Sequence, residues 1–149
     1  MSQHTSERVP RVVIVEADQA LAQFLLDALA HDGCGAVICE RPDAAVQIIE
    51  RERPALVVLG LDLATSKAAW TLLNQLRAAP RTAWLPIVFV TADQRLACEQ
   101  GLLLRAEGYA LIETPFDVDD FLDLVRTQLR AGRRQPRSGE AERPPPTAL

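Results

Sequence analysis

The sequence has no long apolar run. Its longest, such as Ala55–Leu61, reach seven or eight residues, whereas a membrane-spanning helix needs roughly 18–20. Met1 to Pro10 is polar and holds no apolar stretch, so no secretory signal is expected. Cysteine is scarce and odd in number, with Cys34, Cys39 and Cys98 in no metal-type spacing. That pattern argues against a disulfide framework or a zinc site. The two histidines, His4 and His31, stand alone, too few and too far from other ligand types for a metal centre or a histidine-based triad. A reducing, cytoplasmic setting and no membrane partner are the expectations that follow.

What is present suits one domain. Of 149 residues, 48% are apolar, enough to bury a full core at this size. Charge is uneven. Residues 1–131 carry 18 acids against 12 bases, net −6, and residues 132–149 carry 2 acids against 4 bases, net +2. A reader of duplex DNA normally shows a basic face in its folded part, and this chain does not.

Three four-residue runs, Val12–Val15, Leu56–Leu59 and Ile87–Val90, are apolar throughout. Continuous apolar strands are buried on both faces, as in a parallel sheet covered by helices. Weaker strands fit at Ala36–Cys39 and Tyr109–Ile112. Between the strands the period turns helical. Asp18 is a candidate N-cap before Leu21, Leu25 and Leu29, and Gly33 and Gly35 end that helix. Pro42 suits a first helical turn ahead of Ala45, Val46, Ile48 and Ile49. Trp70, Leu72, Leu73 and Leu76 mark a third helix and Asp93 to Arg105 a fourth. A fifth follows Pro115, capped by Asp117, with Phe121, Leu122, Val125 and Leu129 inward. Five β-α units predict an α/β fold: a flavodoxin-like (βα)5 doubly wound parallel sheet, strand order 2-1-3-4-5. The domain boundaries expected are a flexible N-terminus (1–10), the folded unit (11–131) and a disordered Pro/Arg-rich tail (132–149), whose four prolines and lack of aromatics preclude a core.

Ligands of such sheets bind beyond the carboxyl ends of the strands. The residues there are Glu16, Ala17 and Asp18 after the first strand, Gly60, Leu61 and Asp62 after the third, Thr91 after the fourth, and Glu113, Thr114, Pro115 and Phe116 after the fifth. This order, with the segments PALVVLG, LPIVFVTAD and ETPFDVDDFLDLVRTQL, resembles the CheY-like receiver domain of bacterial response regulators over about residues 11–130. The resemblance implies a role in two-component phosphorelay signalling. Receivers transfer a phosphoryl group to an aspartate ending the third strand. Acidic residues of the first strand hold Mg²⁺, and a lysine and a hydroxyl stabilise the phosphoryl oxygens. Carried over by position, the acidic pair falls on Glu16 and Ala17, the acceptor on Gly60, the hydroxyl on Thr91 and the lysine on Thr114. The aromatic switch position falls on Leu111.

Only Thr91 is intact, so the resemblance points to a pseudo-receiver without catalytic residues. The acidic pocket of Glu16, Ala17 and Asp18 is degenerate, and no metal or cofactor is expected. The expected function is phosphorylation-independent contact with a kinase, another regulator or a second copy, with no DNA-binding domain attached. The candidate interface is the face of the fourth helix, fifth strand and fifth helix, around Leu102, Leu103, Leu104 and Leu111, through which a homodimer can form.

Two alternatives stand beside it. Strand side chains repeat every two residues, so a regular extension would aim Asp62 as residue 60 is aimed, about 6–7 Å further along. Asp62 would then be a shifted acceptor requiring Mg²⁺. Alternatively, the space opened at Gly60 would admit a small molecule, although no phosphate-cradling glycine motif follows the first strand. Thr114-Pro115 stands where the family carries a Lys-Pro bond, and a cis peptide suits it. The cysteines Cys34 and Cys39 read as buried structural thiols, and Arg130, Arg133, Arg134 and Arg137 as solvated.

Overall fold

The three apolar runs become the three central strands. The computed structural model describes residues 9–61 and 66–133. In chain order the elements are β1 (Arg11–Val15), α1 (Gln19–His31), β2 (Gly35–Cys39), a 3-10 turn (Pro42–Ala44) running into α2 (Ala45–Glu52), and β3 (Leu56–Gly60). Then come α3 (Ser66–Ala78), β4 (Ile87–Thr91), α4 (Gln94–Ala106), β5 (Ala110–Glu113) and α5 (Val118–Arg133). The five strands form one parallel sheet in the order β2-β1-β3-β4-β5, which is the flavodoxin-like order expected.

Side chains alternate across a strand, and here both faces are covered. Val13, Val15, Val57, Leu59, Ile87 and Phe89 pack beneath Ile49 of α2, Leu72 and Leu76 of α3 and Leu104 of α4. Val12, Ile14, Leu56, Val58, Val88 and Val90 pack beneath Leu25 and Leu29 of α1 and Phe121 and Val125 of α5. Neither face of a central strand meets water, so a polar residue in these runs would lose its hydration.

Local hydrogen bonds move several boundaries from their expected places. β2 begins at Gly35, whose N–H donates to the Pro10 carbonyl (2.8 Å), so Gly35 opens the strand and Gly33 alone, at φ 85°, turns the chain out of α1. β5 begins at Ala110 because the Tyr109 N–H is taken by the Leu104 carbonyl (2.9 Å) at the end of α4. α5 runs through Gly132 to Arg133, beyond the boundary expected at 131. A Cβ at Gly132 would lie 2.8 Å from Pro86 Cγ, so glycine lets the last turn seat against the start of β4. The expectations for a flexible N-terminus and a disordered tail fall on residues 1–8 and 134–149, outside the described residues.

Asp18 caps α1, its Oδ1 accepting from the Leu21 N–H (3.1 Å), and Asp93 caps α4 in the same way. Cys34 and Cys39 are buried, and burial pushes both thiols above their ordinary range, which makes them poor nucleophiles. Among the described residues no helix is long and apolar enough to cross a membrane.

One ion pair joins distant parts of the chain. Arg126 of α5 donates from Nε and an Nη to the two oxygens of Asp32, at 3.0 and 2.6 Å, closing the end of α1 against α5. The Arg126 hydrogen bonds hold the Asp32 carboxyl below its ordinary value of 3.8. A carboxyl depressed in the folded state stabilises the fold above its unfolded pKa and loses that contribution as pH falls through the folded value. Arg126→Ala should therefore return the Asp32 titration, followed by NMR, toward 3.8. The stability advantage of the wild type over this variant should be full at neutral pH and vanish in strong acid.

Candidate functional site

The parallel sheet brings the ends of β1, β3, β4 and β5 to one edge. Glu16 follows β1 directly, and its N–H continues the ladder to the Cys39 carbonyl (3.1 Å). Its side chain is 4% exposed, and Oε2 accepts from the Asp18 N–H (3.1 Å). Gly60 ends β3, paired with Val90. A Cβ built on Gly60 would collide with Glu16 Oε1 and lie 2.8 Å from its Cδ. The Glu16 carboxylate thus lies where a side chain at 60 would start.

This corrects one expectation. Among the described residues, the place where a side chain at 60 would start is taken by the acid from the neighbouring strand. The backbone at Gly60 has an ordinary φ. A side chain there would meet the Glu16 carboxylate, which would have to shift to admit it.

Thr91 ends β4 and is 1% exposed. Its hydroxyl donates to the Leu61 carbonyl (2.9 Å) and accepts from the Asp93 N–H (3.0 Å). It ties the residue after β3 to the entry of α4, so its proton is committed within the protein. Thr114 follows β5, with its N–H on the Thr91 carbonyl (2.8 Å), and the Thr114–Pro115 peptide is cis, as expected. Thr114 brings no positive charge to the edge. Asp62, the candidate shifted acceptor, lies outside the described residues.

No family model matches the chain. The chain is 31% identical over 137 residues to the DNA-binding dual master transcriptional regulator RpaA of Synechocystis, covering 89% of this chain and 54% of that protein. It is 29% identical over 130 residues to the transcriptional regulatory protein BaeR of Escherichia coli, covering 87% and 52%. The chain therefore spans about half the length of the curated relatives it matches. Solved structures with the same fold include the chemotaxis response regulator CheY4 of Vibrio cholerae (TM-score 0.69, 14% identity, covering 80% of this chain and 98% of that one). A response regulator from Desulfuromonas acetoxidans is similar (TM-score 0.67, 18% identity, covering 81% and 97%). The domain has the fold of response-regulator receivers.

The Mg²⁺ that receivers use does not fit the residues described here. Glu16 is turned over Gly60, Ala17 offers no donor, and the Asp18 carboxylate is engaged as the α1 cap. Among the described residues no three His, Cys, Asp or Glu side chains gather as a metal site.

The receiver's α4–β5–α5 face also differs from expectation. Leu102 and Leu103 are 77% and 61% exposed, but Leu104 (3%) and Leu111 (7%) are core residues. Successive helical positions turn by about 100°. When Leu104 points at the sheet, the two leucines before it therefore point away. Leu111 sits against Gly101 of α4, 3.2 Å from the position of an added Cβ, and so seals α4 to β5. Of the four leucines expected at the surface, Leu102 and Leu103 are there.

Sequence reading treated Glu16 and Gly60 as separate departures from the receiver pattern. A lengthened acid opposite a residue without a side chain was the available signal that the two are complementary. Gly60→Ala should destabilise the domain by about 1–3 kcal/mol, the usual cost of overpacking a filled site. Much of that loss should disappear in a Glu16→Ala background. A double-mutant cycle by urea denaturation measures this coupling, and strictly additive effects would refute the steric account.

Proposed function

We propose that this receiver is a protein-binding module of two-component signalling that works without phosphorylation at the end of β3. The observation that carries the reading is the Glu16 carboxylate filling the side-chain space above Gly60. In this reading position 60 is the degenerate acceptor and position 114 the degenerate lysine. A phosphoryl group would meet no nucleophile at 60, a resident negative charge from Glu16, and no cation from Thr114. Each change acts against a dianionic group at this edge. Thr91 keeps a structural role, its hydroxyl spent on the Leu61 carbonyl.

Output then comes from binding. Leu102 and Leu103 present two adjacent apolar side chains on α4, and exposed apolar surface of this kind suits a protein contact. The partner is a kinase, another regulator or a second copy of the chain, and partner supply regulates the outcome where a phosphate would otherwise do so. The cellular setting is the cytoplasm.

Incubated with acetyl phosphate and Mg²⁺, the full chain should gain no phosphoryl group by intact mass, beside a receiver with a complete site that does. A gain of one group, lost in Asp62→Asn, would overturn the reading and make Asp62 a shifted acceptor.

Replacing Leu102 and Leu103 together by Asp should change folding stability by no more than about 0.5 kcal/mol, as exposed positions do. Leu104→Ala should cost about 2–5 kcal/mol. If the bound species is a second copy, the double variant should also lose concentration-dependent association in sedimentation equilibrium. A wild type that stays monomeric would assign the face to a different protein.

A further inference from the structure

A concavity lies at the opposite, amino-terminal edge of the sheet. It is a groove of about 950 Å³ between the starts of β1 and β2, the end of α2 and the loop from α3 to β4. Three arginines line it, Arg11, Arg53 and Arg81, against one acid, Glu50. Arg11 is paired with Glu52. Arg53 and Arg81 have no ion-pair partner among the described residues. Two arginines without an ion-pair partner among the described residues line this groove although the whole chain is net −4.

Arg53 also stands in an unusual conformation. It ends α2 in the left-handed region at φ 49°, with its N–H on the Ile49 carbonyl (2.9 Å). Glycine or asparagine normally fills such a position, because a larger side chain costs conformational energy there. The Arg53 side chain is exposed.

The third component is an aromatic platform. Trp84 is 42% exposed, yet its indole is fixed, Nε1 donating to the Arg81 carbonyl at 2.7 Å. The loop beneath it is pinned by the buried Thr82, whose hydroxyl donates to the Leu76 carbonyl (2.7 Å). The polar end of the indole is thus satisfied, and Trp84 lines the groove together with Arg53 and Arg81.

We propose that this groove binds a nucleoside phosphate, its base stacked on Trp84 and its phosphates held by Arg53 and Arg81. Arginine forks match phosphate oxygens in pairs, and a fixed aromatic ring accepts any base face. The volume lies in the range of small-ligand sites. The site is separate from the edge discussed above and does not depend on how that edge is read.

The test is a titration of the ¹⁵N-labelled full chain with ADP, following the Trp84 indole N–H, assigned through Trp84→Phe. ADP should shift this signal saturably, more tightly than adenosine or pyrophosphate alone. Arg53→Gln and Arg81→Gln should each raise the Kd about tenfold, with the remaining spectrum unchanged. Arg53→Gly, which relieves the left-handed position, should weaken binding equally, separating the charge from any effect on the fold. No saturable shift at millimolar ADP would overturn the proposal. So would unchanged affinity in the arginine variants, or equal binding of pyrophosphate and ADP.

Discussion

Burial of the three central strands on both faces is the constraint from which the rest follows. A strand covered on one side only can alternate apolar with polar residues. Strands β1, β3 and β4 cannot, and each parallel neighbour needs a crossover long enough to hold a helix. The helices then divide between the faces, with α2, α3 and α4 over Phe89 and α1 and α5 over Ile14. Polar residues are driven to the two edges, where the strands start and stop. Both candidate sites lie at those edges because nowhere else in the sheet can carry charge.

At the carboxyl edge, steric and electrostatic effects act together. Glu16 accepts from the Asp18 N–H at the start of α1 (3.1 Å), a contact made nearly out of water. The absence of a Cβ at Gly60 leaves room for it. Thr91 then links the residue after β3 to the cap of α4. Among the described residues this edge is tied together by the hydrogen bonds of Glu16, Thr91 and Thr114.

The fold was legible because it rests on patterns with a clear physical cause. The unbroken runs announced two-sided burial, and Asp18 and Asp93 announced helix starts. The misplacements have local causes. Gly35 reads as a helix breaker, but the Pro10 carbonyl recruits it into β2; Tyr109 reads as strand, but the Leu104 carbonyl takes its N–H. The run Leu102–Leu104 showed that not all three leucines could face the sheet, but not which would turn away. The site was legible only as single positions. That Glu16 fills the place of a side chain at 60 depends on a contact between adjacent strands, and sequence order alone does not supply it. The amino-edge groove was unread for the same reason, since Arg53, Arg81 and Trp84 are joined only by the sheet.

The fit between Glu16 and Gly60 also bears on how this domain can change. An aspartate at 60 alone would set a second carboxylate into occupied, nearly dry space beside the first. Like charges so placed cannot both ionise without a large penalty. Shortening or turning away Glu16 alone would leave a void where a buried acid now makes its contacts. The contact therefore couples the two positions: a change at either is felt at the other, and residues 16 and 60 are expected to vary as a pair.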